Sequence, residues 1–392
     1  MAQSPSPDLS QPAQMLERLF TTPTVEASWF ADSFLTQVPL GQIEQILRGL
    51  TGSLGAYQGV EAADQGYLLT FERGRVPAQI ALDAQGQIIG LFFKPPQLDA
   101  VTTEEVIAGF EALSGDKHLL MLKDGEPQIL LNADQPLGVG SAFKLLVMQA
   151  LKTQIAADEH QWQDILPVQD HLKSLPGGFL QNWPAGSPLT LQTLAGLMIS
   201  QSDNTATDHL IELVGREPLE VLSPRNQPFI NTQEFFKLKD PANQQLLRRY
   251  REGSVSERRG VIRGLGELSL PSVDIFNNGP VAIDVEWFMS AHELCAAIEA
   301  VADLPLMSIN PGLVDASQWQ RVAFKGGSEP GVENLTTYLE STDGHRYCVT
   351  ATWNNPEGID EIQFANLYQQ AIASLKPSTQ TPSTQAPPTR AE

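Results

Sequence analysis

Strand-like patterns occur near both ends of the region from residue 98 onward and enclose a long, mostly helical stretch. KHLLMLKDGEPQILLN reads as a hairpin that turns at Asp124-Gly125, and RVAFKGG, NLTTYLEST and HRYCVTATWN alternate like sheet strands near the other end. Helical periodicity fills most of residues 159–300 between them. If the strands from both ends of this region form one sheet, the helical stretch between them is an insertion in that sheet's sequence. The pattern predicts an α+β domain over residues 98–376, with an antiparallel sheet and a helical subdomain.

Residues 14–97 predict a smaller α+β domain. Helix-like periodicity covers residues 14–54, and four short extended runs follow it. The clearest helical segment, GQIEQILRGL, has one apolar face made of Ile43, Ile46, Leu47 and Leu50. The Pro95-Pro96 pair stops the last strand and marks the domain boundary. Residues 1–13 and the Pro/Thr/Ser-rich segment 377–392 are expected to be disordered, because they cannot bury enough apolar surface.

The charge of the chain excludes some classes of partner. A formal net charge of −21 repels polyanions, and no Lys/Arg-rich run offsets it, so nucleic acid is not an expected partner. No apolar run approaches the roughly 20 residues that span a bilayer, so no membrane span is expected. The composition, 42% hydrophobic and 18% charged, is typical of a globular protein. We expect a monomer or a weak dimer.

Cysteine usage and the first residues bear on cofactors and compartment. Cys295 and Cys348 can form at most one disulfide, and neither has a Cys or His at metal-ligand spacing, so we expect two half-buried thiols, no metal and no cofactor. MAQSPSPDLSQPAQ has no basic n-region and no apolar h-region, so as written it is not a signal peptide. The protein is expected to be periplasmic or secreted if a signal peptide has been removed, and otherwise cytoplasmic.

The segment Ser141-Ala142-Phe143-Lys144 opens a predicted helix. A spacing of three puts the Ser141 hydroxyl and the Lys144 ammonium on one face, at a helix end that adds partial positive charge and free N–H groups. A serine becomes nucleophilic when a neighbour takes its proton, and a desolvated lysine near another cation can have a pKa low enough to do so. Taken alone, the same letters are also typical of an N-cap followed by a surface lysine.

Two further motifs lie downstream. Ser202-Asp203-Asn204 stands between two apolar helical segments, where an ordinary helix cap would have the same residue types. Lys325-Gly326-Gly327 ends an apolar strand, where glycines allow a substrate to approach the backbone and a lysine can hold a carboxylate. A hairpin turn is the alternative for this motif. The order and spacing of the three motifs are those that a single active site requires.

Together with LTLQTLAGLMISQSDNTATDHLIELVG, the three motifs resemble the class A β-lactamase and penicillin-binding serine hydrolase superfamily. The resemblance covers roughly residues 102–375 and implies a β-lactamase/transpeptidase-like fold with an acyl-enzyme mechanism. It implies that Ser141 is the acylated nucleophile, that Lys144 is its proton partner, and that Ser202 relays a proton to the leaving nitrogen.

The resemblance also implies the substrate-binding residues. Asn204 would bind the substrate amide and Lys325 the substrate carboxylate, with Gly327 allowing close approach. The backbone N–H groups of Ser141 and Ser328 would form the oxyanion hole, two fixed donors where negative charge develops. Asp203 is expected to be structural.

The sequence departs from the superfamily pattern where the acyl-enzyme would be hydrolysed. Glu234 is the candidate deacylation base, but Leu238 stands where the family has an asparagine, and Thr232-Gln233-Glu234 also reads as a helix start. Gly326 occupies a position where most β-lactamases have a hydroxyl residue. Fast deacylation is therefore not expected.

The expected activity is that of a serine hydrolase on a small-molecule or peptidoglycan-like substrate, either a β-lactam or a related amide or ester. The alternatives are a D,D-peptidase or esterase on another substrate, and a β-lactam-binding or interaction scaffold with little turnover. Residues 14–97 resemble the cystatin-like or NTF2-like modules that precede such domains in two-domain proteins of the clavulanic acid cluster type. We expect this module to cover or narrow the mouth of the active site, with an inert packing module as the alternative.

Overall fold

The computed structural model describes residues 10–63, 66–94, 96–98, 101–277 and 279–375. The α-helices of this described part are α1 Ser10–Thr21, α2 Asp32–Gln37, α3 Leu40–Leu54, α4 Thr103–Glu111, α5 Lys144–Ala156, α6 Leu191–Ser200, α7 Asn204–Val214, α8 Arg216–Leu222, α9 Thr232–Lys239, α10 Gln244–Glu252, α11 Val255–Leu265, α12 Ala291–Val301 and α13 Glu361–Ala373. The strands are β1 Tyr57–Ala63, β2 Gly66–Phe71, β3 Gly74–Leu82, β4 Ile88–Phe93, β5 Gln97–Leu98, β6 Asp116–Lys123, β7 Glu126–Leu131, β8 Leu137–Gly138, β9 Ile165–Pro167, β10 Pro188–Thr190, β11 Phe288–Met289, β12 Arg321–Glu329, β13 Val332–Glu340 and β14 Arg346–Asn354. The expected α+β class is confirmed.

The chain divides into two compact units, one containing the described residues up to Thr103 and from Gln369, the other spanning Glu104–Tyr368. This division falls later than the boundary expected between residues 97 and 98, because β5 is still part of the first sheet, where it pairs with β3. Helix α1 begins at Ser10, inside the segment 1–13 that was expected to be disordered. The tail 377–392 lies outside the described residues.

The first unit combines helices with an antiparallel sheet in the order β1-β2-β3-β4. Apolar residues of β2 alternate in burial, with Tyr67, Leu69 and Phe71 inside, as one buried sheet face requires. Ile43 and Leu47 of α3 lie in the same core. Ile46 was expected on that face but is 42% exposed, so the apolar stripe of α3 is narrower than its sequence suggests.

The second unit is built on the antiparallel sheet β12-β13-β14-β6-β7, with the hairpin β6-β7 from its start and the other strands from its end. The long segment between them is mostly helical, as predicted. Helix α5 is buried around most of its circumference and packs against α7 and α12. Among the described residues, no helix is long and apolar enough to cross a membrane.

Cys295 and Cys348 form a disulfide, with Cα atoms 5.8 Å apart. The expectation of two separate thiols was wrong. Helix α12 packs on β14 and brings the two residues together, although they are far apart in the sequence. Sequence spacing alone does not report such a helix–sheet contact.

Candidate active site

Ser141 lies in a 3-10 helix, Gly140–Phe143, that leads directly into α5. It lines a cleft of about 610 Å³ together with Ser202, Asn204 and the residues 325–328 of β12. Gly140 has φ +47°, a left-handed conformation that glycine adopts without strain. The chain therefore turns sharply just before the serine and presents it at the start of a buried helix.

Gly327 brings β12 into contact with the backbone beside Ser141. A Cβ at this position would lie 2.2 Å from the Val139 carbonyl oxygen and 2.4 Å from the Ser141 nitrogen, so only glycine fits. A Cβ on Gly140 would in turn lie 3.1 Å from the Ser328 nitrogen. The backbone amides of Ser141 and Ser328 are thus held on adjacent segments, as an oxyanion hole requires.

Lys144, three residues after Ser141, is fully buried. Its Nζ donates to the Ser202 carbonyl oxygen at 2.6 Å, to Asn204 Oδ1 at 2.7 Å and to Ser202 Oγ at 3.2 Å. Ser141 Oγ is not among the hydrogen-bond partners found for Lys144 in the described part of the chain. Burial, followed by the charge of Lys325, lowers the pKa of Lys144 well below its usual range, against the opposing effect of Asp208 and Asp203.

Ser202 joins the two lysines of the site. Its Oγ lies 3.2 Å from Lys144 Nζ and 3.0 Å from Lys325 Nζ, and its φ of +54° is unusual for a residue other than glycine. Asp203, the next residue, is held by backbone groups on both sides of its carboxylate. Its Oδ1 caps α7 through the Ala206 N–H, and its Oδ2 accepts the N–H groups of residues 179 and 180, so Asp203 has the structural part expected of it.

Asn204 is buried next to Lys144 and lines the cleft. Its Oδ1 accepts from Lys144, and its Nδ2 donates to the Leu175 carbonyl oxygen at 3.2 Å. A side-chain amide has two donor hydrogens, so one remains for another acceptor.

Lys325 is 3% exposed and stands on β12, the edge strand of the sheet. Its Nζ donates to Ser202 Oγ at 3.0 Å and to the carbonyl oxygen of Gly326. Burial lowers the pKa of Lys325 to about 7. The three motifs therefore converge on one cleft, as their order in the sequence predicts.

Lys144 does not itself line the cleft, but it bonds to two residues that do, Ser202 and Asn204. Glu234 does not line the cleft. Its carboxylate forms a two-point ion pair with Arg216, at 2.6 and 2.9 Å, and completes a capping box with Asn231 at the start of α9. The helix-start interpretation of this segment is the one the structure supports. What α9 contributes to the cleft is Thr232, Phe235 and Phe236.

A buried charged cluster at the edge of the cleft was not predicted. Lys239 Nζ lies 3.3 Å from Glu286 Oε1 and also bonds Glu329, with both the Lys239 and Glu286 side chains fully buried. Burial, then repulsion from Glu286, raises the pKa of Glu329 well above its usual range. In the sequence, the positions of Glu286 and Glu329 suggest that each could lie near the site, but nothing connects either of them to Lys239.

The comparisons agree with this architecture. Residues 102–233, which include Ser141, Lys144 and Ser202, match the model of the Beta-lactamase enzyme family. A β-lactamase from Sphaerobacter thermophilus DSM 20745 has 21% sequence identity and a TM-score of 0.50, over 71% of this chain and all of that one (100%). The chain contains a domain with a β-lactamase-like fold.

Other structures resemble the β-lactamase-like domain at lower similarity. A β-lactamase from Chitinophaga pinensis DSM 2588 has 16% identity and a TM-score of 0.46, covering 69% of this chain and 96% of its own. No curated protein matches the sequence. The solved structures cover about seven tenths of the chain, and the cystatin-like or NTF2-like character of residues 14–97 stays a prediction.

Proposed function

We propose that the β-lactamase-like domain is a serine hydrolase that forms an acyl-enzyme on Ser141 with a β-lactam or a related amide or ester. The observation that carries this proposal is the position of Ser202 Oγ between Lys144 and Lys325, in a cleft that Ser141 also lines. Two buried ammonium groups this close to one hydroxyl are costly, so burial and mutual repulsion favour the loss of a proton from at least one of them. Such an arrangement is typical of catalysis rather than of stability.

Lys144 is the proposed base for acylation. When neutral, its amine keeps two N–H groups for its two shortest contacts, the carbonyl oxygen of Ser202 and Asn204 Oδ1, and one lone pair to accept a proton. The Ser141 oxygen attacks the substrate carbonyl carbon, and its proton passes to Lys144. Because catalytic hydrogen bonds often form only with bound substrate, a longer resting distance is compatible with this step.

Ser202 is the proposed donor to the leaving group. The tetrahedral oxyanion accepts the N–H groups of Ser141 and Ser328, and its collapse breaks the bond to the leaving nitrogen or oxygen. That atom takes the Ser202 proton, which Lys144 or Lys325 replaces. Asn204 offers its remaining amide hydrogen to the substrate carbonyl next to the reacting bond.

Hydrolysis of the acyl-enzyme is expected to be slow. Glu234 is tied to Arg216, and α9 places two phenylalanines and a threonine, but no carboxylate, along the cleft. Of the motif residues, Lys144 is the one left to activate water near Ser141. Acylation faster than deacylation produces an adduct that accumulates.

An intact-mass time course with a chromogenic cephalosporin and a p-nitrophenyl ester tests the proposal. We expect wild type to gain the acyl mass and Ser141→Ala to gain none, with Ser256→Ala, an exposed serine of α11, behaving as wild type. An adduct that disappears as product accumulates indicates a hydrolase with turnover, and a persistent adduct indicates slow deacylation. Product formation that does not depend on Ser141, or neither adduct nor product with either substrate, would contradict the proposal.

A further inference from the structure

The charged side chains lining the cleft are unbalanced for binding an anion. Among the described residues that line it, Lys325 is the cation, whereas Glu286, Glu329 and Glu333 are carboxyl residues. No arginine is in this set. Within this set, Lys325 would therefore be the one positively charged partner of a substrate carboxylate.

Lys325 is poorly placed to serve a carboxylate. Its Nζ already donates to Ser202 Oγ and to the Gly326 carbonyl oxygen, and its side chain is buried. Burial also lowers its pKa to about 7, so much of its charge is lost at neutral pH. Gly326 has no hydroxyl group that could donate a second hydrogen bond to a substrate carboxylate.

The described neighbours of these carboxyl residues provide no free positive charge that could bind a substrate anion. Lys239 is enclosed by Glu286 and Glu329, two carboxyl partners for one ammonium, and has no charge left for a ligand. The carboxyl group of Glu333 has no hydrogen bond or ion pair with another described residue, although the backbone of Glu333 pairs within the sheet. Burial and Glu361 raise the pKa of Glu333 to about 8, so Glu333 becomes an additional negative charge in mildly alkaline solution.

Aromatic side chains form a large part of the cleft wall, beside uncharged polar residues such as Gln201, Thr232 and Asn310. The aromatic residues that line it are Phe143, Phe235, Phe236, Phe276, Trp287 and Phe324. Such a wall contributes roughly 25 cal/mol for each Å² of apolar substrate surface that it removes from water. It contributes nothing to a charged group, which loses hydration without gaining a partner.

We infer that the cleft selects uncharged, apolar acyl substrates, above all carboxylic esters, over substrates that bear a carboxylate. This inference rests on the proposed acyl-enzyme function and narrows its substrate class. With an ester, the bond from Ser141 Oγ to the acyl carbon forms and the bond to the alkoxy oxygen breaks. The Ser141 proton passes to Lys144, and the departing alcohol takes the proton of Ser202. Water then releases the carboxylic acid.

Two esters of equal acyl length test the inference. p-Nitrophenyl valerate is neutral, and p-nitrophenyl hydrogen glutarate carries a terminal carboxylate on the same five-carbon acyl chain. At pH 8.5 we expect kcat/KM to favour the neutral ester by roughly tenfold or more, the factor for one charge about 10 Å away at an effective dielectric constant of about 20. Glu333→Gln should reduce this preference severalfold.

Controls separate this inference from the proposed function. Glu159→Gln removes the same charge from an exposed loop and should leave the ratio of the two kcat/KM values unchanged. Equal kcat/KM values, or a preference for the glutarate, would overturn the inference while Ser141-dependent release keeps the proposed function intact. A neutral preference that Glu333→Gln does not alter would overturn the role of Glu333. Release that persists in Ser141→Ala would refute the proposed function and the inference with it.

Discussion

At the scale of single residues, the two lysines of the site form one electrostatic unit. Each is buried, and the charge of Lys325 is among the causes that lower the pKa of Lys144. A lysine with a lowered pKa is neutral above that pKa and charged below it. Because acylation needs neutral Lys144, its rate should rise with pH through the pKa of Lys144 and level off above it.

Removing the charge of Lys325 should shift this profile. In Lys325→Gln the repulsion is gone, so the pKa of Lys144 should rise and the acid limb of kcat/KM for a neutral ester should move to higher pH, on the order of one pH unit. The measurement is a pH–rate profile on each variant. Lys152→Gln is the control, because Lys152 is a partly exposed lysine of α5, the helix of Lys144, and pairs with Asp303 away from the motif residues. An unchanged midpoint in Lys325→Gln would show that the two lysines do not interact.

The site residues differ in how far the sequence could predict them. Ser141, Lys144, Ser202 and Lys325 converge because each stands at the end of a helix or on a strand, where short motifs fix local geometry. Glu234 does not join them, because it pairs with Arg216 on another helix. The sequence gives no sign of that contact. The contacts of Lys239 with Glu286 and Glu329 were missed for the same reason.

At the scale of secondary-structure elements, the Lys239 cluster connects three segments. Lys239 ends α9, Glu286 precedes β11 and Glu329 ends β12, directly after Ser328. The sequence predicted helices and strands here from periodicity, which reports burial on one element. Periodicity does not show which buried charged side chains on different elements contact one another.

Breaking this cluster should be costly. Lys239→Met leaves two buried carboxyl groups without their cation, and we expect the free energy of unfolding to fall by about 3–5 kcal/mol. Urea denaturation followed by fluorescence measures this change. Arg251→Met removes the exposed partner of Asp284 and should cost less than about 1 kcal/mol. Equal losses in the two variants would mean that burial of the cluster has no energetic consequence.

At the scale of the whole molecule, the order of strands and helices along the chain was enough to predict one sheet built from both ends of the domain, with a helical segment inserted between them in the sequence. The sequence could not predict where the units divide, because β5 joins the first sheet only through its pairing with β3. The disulfide was missed for a related reason. Its two cysteines belong to different layers of the second unit, the helix α12 and the strand β14.

The disulfide should stabilise this unit by restricting the unfolded chain. Cys295 and Cys348 are separated by 53 residues, and cross-linking a loop of that size is worth about 2–4 kcal/mol. We expect a reducing agent to lower the Tm of wild type to that of the Cys295→Ala/Cys348→Ala variant, and to leave the variant unchanged, because the variant has no bond to reduce. Thermal unfolding with and without reductant measures both. A wild-type Tm that does not respond to reductant, while free-thiol titration shows that the bond has been opened, would mean that the cross-link adds nothing to the packing of α12 on β14.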